Sequence, residues 1–210
     1  METKIVKLSF RGPVHFGGGR LSDGRAACDA ATLFSALYIE ALRTGGADKL
    51  LAAAKTGDFA LSDAFPYIGD SLYLPKPMVK PGTFDRGSAS DTSQDSRERK
   101  ANKKLGYVPL TRYVSYLKGS FDAMRELDSF KLGKAFLQTK VNLLRARGDD
   151  AEPYHVGGYS FEPGAGLYFL VRSPFPIEPL LEQLSYSGLG GKRSSGFGRF
   201  SFAEKSAGGL

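Results

Sequence analysis

A chain of 210 residues with 41% hydrophobic and 12% aromatic residues can bury one sizeable core, and no apolar run reaches the roughly 18 residues that a membrane span needs. A formal net charge of +7 favours an anionic partner such as a nucleic acid, although a solvated basic face gives the same total. One cysteine, Cys28, excludes an intramolecular disulfide; with only 2 histidines it argues against a zinc site and for a reducing cytoplasm.

Met1-Glu2-Thr3-Lys4 lacks the apolar region of a signal peptide. From Lys4 to Phe10 the chain alternates, with Val6, Leu8 and Phe10 on one face, which predicts a strand. A glycine-rich loop follows, Arg11 to Arg20. Asp29 reads as an N-cap, and Leu33, Phe34, Leu37, Tyr38, Ala41 and Leu42 recur at helical spacing up to Gly45-Gly46. A second helix is expected over Asp48–Lys55. Phe65-Pro66-Tyr67 and Ser71–Pro75 read as edge strands, because proline is confined to strand margins.

Asp85–Ser96 has almost no apolar residue and predicts a mobile loop. Arg97, Arg99, Lys100, Lys103 and Lys104 follow as a basic run, and Leu117–Phe130 as a lid-like helical connection. Phe136–Arg147 reads as a strand carrying Lys140, Arg145 and Arg147. Tyr154–Phe161 and Leu167–Arg172 are aromatic strands, with Pro163-Gly164-Ala165-Gly166 as a hairpin turn between them. Ile177–Ser187 is an amphipathic helix with Pro179 in its first turn and Leu180, Leu181 and Leu184 as its apolar stripe. The last strand is expected over Phe197–Phe202, and Ser206–Leu210 as an unstructured end. Strand, helix, strands with insertions, strand, helix, strand is the order of the ferredoxin-like, RRM-like α+β fold.

Between the last helix and strand, Tyr186–Phe200 packs 5 glycines, 3 cations, 2 adjacent serines and 2 phenylalanines into 15 residues. Glycine permits positive φ and close approach to the main chain. Lys192, Arg193 and Arg199 supply charge, and Ser194 and Ser195 supply hydroxyls, a mixture that suits a polyanion. A phosphate-cradling P-loop is excluded: Tyr186 stands where its first glycine must be, Arg193 follows Gly191-Lys192, and a helix precedes the loop where a strand is needed.

Three segments carry a family resemblance. They are His15-Phe16-Gly17-Gly18-Gly19 running through Leu21 to Leu33–Leu37; Leu61–Tyr67 followed by Leu74-Pro75-Lys76-Pro77; and Tyr186–Phe200. With them the chain resembles the RAMP-superfamily subunit of type III-A CRISPR (Csm) effector complexes that holds the 5′ handle of the CRISPR RNA. The resemblance runs to about Phe202. It implies a RAMP domain over residues 1–205, with insertions at about 76–115 and 116–150 and a tail at 206–210; the second such domain of the family is expected to be missing. It implies a non-catalytic RNA-binding subunit that touches the large polymerase-like subunit and the first backbone RAMP subunit. Target RNA would be met only indirectly, through guide pairing. No cofactor and no metal is expected; the adjacent carboxylates Asp149-Asp150 read as a solvated turn rather than a metal site.

The expected RNA contacts are His15, Phe16, Gly17, Gly18, Arg20, Lys140, Arg145, Gly188, Gly190, Gly191, Lys192, Arg193, Ser194, Ser195 and Arg199. Cations on such a loop bond phosphates while amide N–H groups add short contacts. Phe197, between two glycines, reads as core rather than as a base stacker. His15 leaves an alternative open. Processing endonucleases of the same superfamily use an early histidine as general base, so His15 is either a catalytic group in a metal-independent endonuclease or an RNA contact and packing group. His155, in a strand, reads as structural.

Overall fold

The structure, a computed structural model, describes residues 2–79, 92–142 and 152–208. Arg145, Arg147 and the Asp149-Asp150 pair lie outside the described residues, as does the 85–91 part of the expected loop.

Strand β1 (Thr3–Phe10) alternates as its sequence predicts, with Val6 and Leu8 fully buried on one face. The chain then passes through α1 (Ala30–Thr44) and α2 (Ala47–Thr56). Asp29 caps α1 by accepting from the Thr32 amide at 2.7 Å, and Gly45 ends it in the left-handed region at φ 75°. Strands β2 (Ala60–Leu61), β3 (Phe65–Ile68) and β4 (Ser71–Pro75) lead to α3 (Thr92–Lys104) and β5 (Tyr107–Pro109). Two short helices follow, α4 (Tyr113–Leu117) and α5 (Ala123–Ser129), then β6 (Gly133–Asn142), β7 (Glu152–Phe161), β8 (Ala165–Arg172), α6 (Glu178–Ser187) and β9 (Phe200–Ser206).

The main sheet runs β5-β4-β3-β8-β1-β9 with every pair antiparallel, and β2 also pairs with β8. Strand β8 therefore sits between β1 and β3, which α1, α2 and β2 connect in the chain. Helices α1, α2 and α6 cover one sheet face, burying Leu33, Leu37, Leu50, Leu181 and Leu184 against Val6, Leu8, Leu167, Phe169 and Phe200. Each buried leucine contributes roughly 1.5–3 kcal/mol. This is an α+β architecture on an antiparallel sheet. Strands β6 and β7 form a separate two-stranded ribbon.

Several expectations are corrected. Strands β3 and β4 are internal, not edges. Pro66 is tolerated there because the β3–β4 ladder starts one residue later, at Tyr67↔Leu72, and Pro75 ends β4. Pro163–Gly166 is not a hairpin turn. β7 pairs with β6, whereas β8 is buried along almost its whole length and has β1 on one side and β3 on the other, so the turn carries the chain from ribbon to sheet. Within the expected 85–96 loop, residues from Thr92 onward already belong to α3. The expected lid over Leu117–Phe130 is a packed satellite instead, where Tyr116 and Ala123 meet Ala101, Leu105 and Val108 in a second small core. Strand β9 begins at Phe200, because the positive φ of Gly196 and Gly198 keeps the preceding residues in a turn. The expected loose end is ordered at its start: Ser206 pairs with Lys4 and the Ala207 amide donates to Thr3 O at 2.9 Å.

Candidate nucleic-acid interface

Helix α6 ends where the Gly188 amide donates to Leu184 O, with Gly188 at φ 87°. Leu189 then plunges into the core, 0% exposed. From there the loop is stitched to the early glycine loop through the backbone. The Gly191 amide donates to His15 O, the Gly198 amide to Pro13 O and the Arg11 amide to Arg199 O, each at 2.9 Å. Within the loop, the Leu189 amide donates to Gly198 O, and those of Ser195 and Phe197 to Lys192 O.

The amides of Gly188, Leu189, Gly191, Ser195, Gly196, Phe197 and Gly198 are committed to internal carbonyls and cannot also cradle an anion. Gly190 and Gly191 let the two loops pack closely together. A Cβ on Gly190 would lie 2.8 Å from His15 O, and one on Gly191 2.6 Å from the His15 ring. An anion at this loop would be met by its side chains and by the few loop amides outside that set.

Those side chains converge. Lys192, held at φ 58°, has its Nζ 5.7 Å from the centre of the Tyr154 ring. Lys140 donates to Ser195 Oγ at 3.3 Å and lies 5.9 Å over the Phe197 ring. Phe197 is buried, as expected, with Phe136 of the ribbon beside it at 6.3 Å. Ribbon and loop thus meet over Lys140 and Lys192. Arg193 lines two grooves that flank the loop. One, of about 760 Å³, is lined by His15, Leu21, Arg43, Tyr186, Lys192 and Arg199 among others. The other, of about 520 Å³, lies against α1, where Cys28, Thr32 and Ile39 contribute.

The remaining expected contacts divide. His15 is buried and lines both grooves, with Gly17 and Gly191 beside its ring. Ser194 and Ser195 are exposed at the loop tip. Phe16 is buried, 5% exposed, and packs edge-on against Phe10, while also contributing to the lining of the groove against α1. Gly188 is buried. Gly18 and Arg20 line neither groove; a Cβ on Gly18 would overlap the Arg25 guanidinium. His155 is exposed and hydrogen-bonded to Thr139 Oγ1 at 3.1 Å across the ribbon. Sequence reading missed Arg43 and Tyr186. Tyr186, 66% exposed, stands off the Leu180/Leu181/Leu184 stripe, and that displacement was the available signal.

Among the described residues there is no cluster of three or more acidic, histidine or cysteine side chains that could hold a metal, and no helix is long and apolar enough to cross a membrane. The Cys28 thiol is pushed up to about 12, first by burial and then by the nearby Asp29 and Asp63 charges. A neutral-pH alkylating reagent is accordingly expected to leave the folded protein unlabelled and to label it on unfolding; mass spectrometry checks this.

No protein-family model matches the chain. Among curated proteins it is 35% identical over 211 residues to the "CRISPR system Cms protein Csm4" of Mycobacterium tuberculosis (strain CDC 1551 / Oshkosh), covering 99% of this chain and 66% of that protein. The same-named protein of Streptococcus thermophilus is 34% identical over 200 residues, 95% of this chain and 63% of that one. The chain thus spans just under two thirds of the length of the curated relatives it matches. Among solved structures, a crystal structure of a Csm1-Csm4 cassette in complex with cA4 superposes with a TM-score of 0.64 at 22% identity, covering 98% of this chain and 70% of that one. A Csm3-Csm4 subcomplex of the type III-A CRISPR-Cas interference complex gives 0.60 at 16% identity, covering 98% and 69%. Over the length it shares with these relatives, the chain belongs to the Csm4 family of CRISPR proteins.

Proposed function

We propose that the chain is a non-catalytic RNA-binding subunit that grips the 5′ handle of a CRISPR RNA. In this reading it links the large polymerase-like subunit to the backbone RAMP subunits of an RNA-guided complex. The observation that carries it is the stitched loop pair. Much of its backbone is hydrogen-bonded internally, while Lys192, Arg193 and Arg199 line the grooves beside it and Lys140 reaches the same loop from the ribbon. The fold supports the reading as a ferredoxin-like RAMP domain: the order β9-β1-β8-β3, with α1 and α6 on one face, is that of a split β-α-β unit. Helices α3 to α5 and the β6–β7 ribbon are then insertions in that unit. The relatives' assemblies with Csm1 and Csm3 support the two protein partners.

The test is Lys192→Ala combined with Arg193→Ala. Affinity for a single-stranded repeat-derived RNA is expected to fall without loss of folding. The salt slope of log K should shrink by about 1.4, at roughly 0.7 per phosphate released from a single strand. An unchanged affinity and an unchanged slope would sink the assignment.

A second reading rests on one specific observation, that His15 lines both grooves and that its Nε2 has no hydrogen-bond partner among the described residues. There it could act as a general base in a metal-independent endonuclease. Incubating the protein with repeat RNA in EDTA separates the two: cleavage lost in His15→Ala would favour the nuclease.

A further inference from the structure

His15 is held in one ring orientation by the fold. Its side chain is 9% exposed, and Nδ1 lies 2.7 Å from Gly157 O on β7. A carbonyl only accepts, so Nδ1 carries the proton and donates. In the neutral ring, Nε2 is left with a lone pair. Among the described residues, Nε2 has no hydrogen-bond partner. It is bounded by two glycines rather than by side chains: a Cβ on Gly17 or on Gly191 would stand 3.5 Å from it. The ring lines both grooves, each of which Arg193 also lines.

An acceptor placed beside cations selects its ligand. Lys192, Arg193 and Arg199 attract phosphate oxygens, whereas a lone pair repels them. What a lone pair needs is a donor lying next to the phosphate track. On a nucleic-acid backbone that donor is the ribose 2′-hydroxyl, present in RNA and absent from DNA.

We infer that His15 Nε2 accepts a hydrogen bond from one ribose 2′-hydroxyl, and that this contact lets the site prefer RNA over DNA. The inference rests on the RNA-binding reading above and adds a selectivity that the loop cations cannot supply, since they meet phosphates common to both polymers.

The experiment compares the intact chain on a single-stranded repeat-derived oligoribonucleotide, on its all-DNA counterpart, and on a series carrying one 2′-fluoro sugar each. 2′-Fluoro removes the donor and keeps the sugar pucker close to that of RNA. The wild-type protein is expected to lose about 3- to 10-fold in affinity at one position of the series, the range for a single neutral hydrogen bond. His15→Asn keeps a donor for Gly157 O but leaves no acceptor at the place of Nε2, so that position should become insensitive. His15→Gln sets an amide oxygen near the place of Nε2 and should restore part of the sensitivity. A wild-type protein that binds RNA and DNA equally, or a flat 2′-fluoro series, overturns this inference and leaves the RNA-binding reading standing. Sensitivity to base identity with a flat 2′-fluoro series would assign Nε2 to a base and also overturn it. A wild-type protein that binds neither polymer overturns both. The wild-type series needs no variant, so a misfolded His15→Asn would not shield the idea.

Discussion

Gly198→Ala is expected to destabilise the protein by roughly 2–4 kcal/mol and to abolish RNA binding at the loop, whereas Gly196→Ala, two residues earlier, should cost only about 1 kcal/mol and keep binding. Both glycines are left-handed, at φ 78° and 82°, so both substitutions carry the same conformational cost. They differ in space. A Cβ on Gly196 meets nothing within 4 Å, whereas one on Gly198 overlaps Leu189 O and comes 2.8 Å from Leu189 N. Those atoms are backbone and cannot swing aside. Leu189 would have to move, and it is fully buried in the main core. The Gly198 amide also donates to Pro13 O, so the join to the early loop opens with it. Urea melts of the two variants, with RNA affinity measured on each, decide the matter. Equal losses from both would mean that conformation rather than packing fixes this loop.

Much of the fold was legible because local signals agreed with tertiary ones. Asp29 and Gly45 bracket α1 as written, and the alternation of Val6, Leu8 and Phe10 sets the buried face of β1. The misreadings share a cause, namely pairing partners distant in the chain. Nothing local to Pro163–Gly166 says that β8 is already flanked by β1 and β3, so a turn between two aromatic strands reads as a hairpin. Pro66 reads as an edge residue because the offset of the β3–β4 ladder is invisible in sequence. At the site, the cations were legible as charge, and Lys192, Arg193, Arg199 and Lys140 do gather. The purpose of the glycines was not, because whether an amide is free depends on the early loop that meets it. The burial of Phe16 was not legible for the same reason: the isolated bridge Phe16↔Arg25 and the contact with Phe10 are made by residues that the local sequence does not announce. Arg43 was missed because its neighbourhood in the groove is assembled by α6, far along the chain.

Arg43 also belongs to the second large expected effect. Glu40 on α1 is 2% exposed, and it accepts from Ser187 Oγ at 2.6 Å and from Arg43 Nη1 at 3.0 Å. Ser187 closes α6, so this carboxylate ties the helix that launches the glycine loop to α1. Glu40→Ala removes the charge-assisted bonds and is expected to cost about 2–3 kcal/mol. Arg43→Ala is expected to cost about 2 kcal/mol although the arginine is mostly exposed, because it leaves a buried carboxylate with only a hydroxyl for company. In the Glu40→Ala background that charge is gone, and Arg43→Ala should then cost almost nothing. The coupling in the four-protein cycle is therefore expected near 2 kcal/mol. A coupling below about 0.5 kcal/mol would make the pair an ordinary surface ion pair and leave the Ser187 hydroxyl as the partner that matters to Glu40. RNA affinity separates the roles further. Glu40→Ala weakens binding by loosening the launch of the loop, so Glu40→Gln, which keeps an acceptor for Ser187, should recover most of that affinity. Arg43→Ala also removes a groove cation, and its loss of affinity should shrink as salt rises.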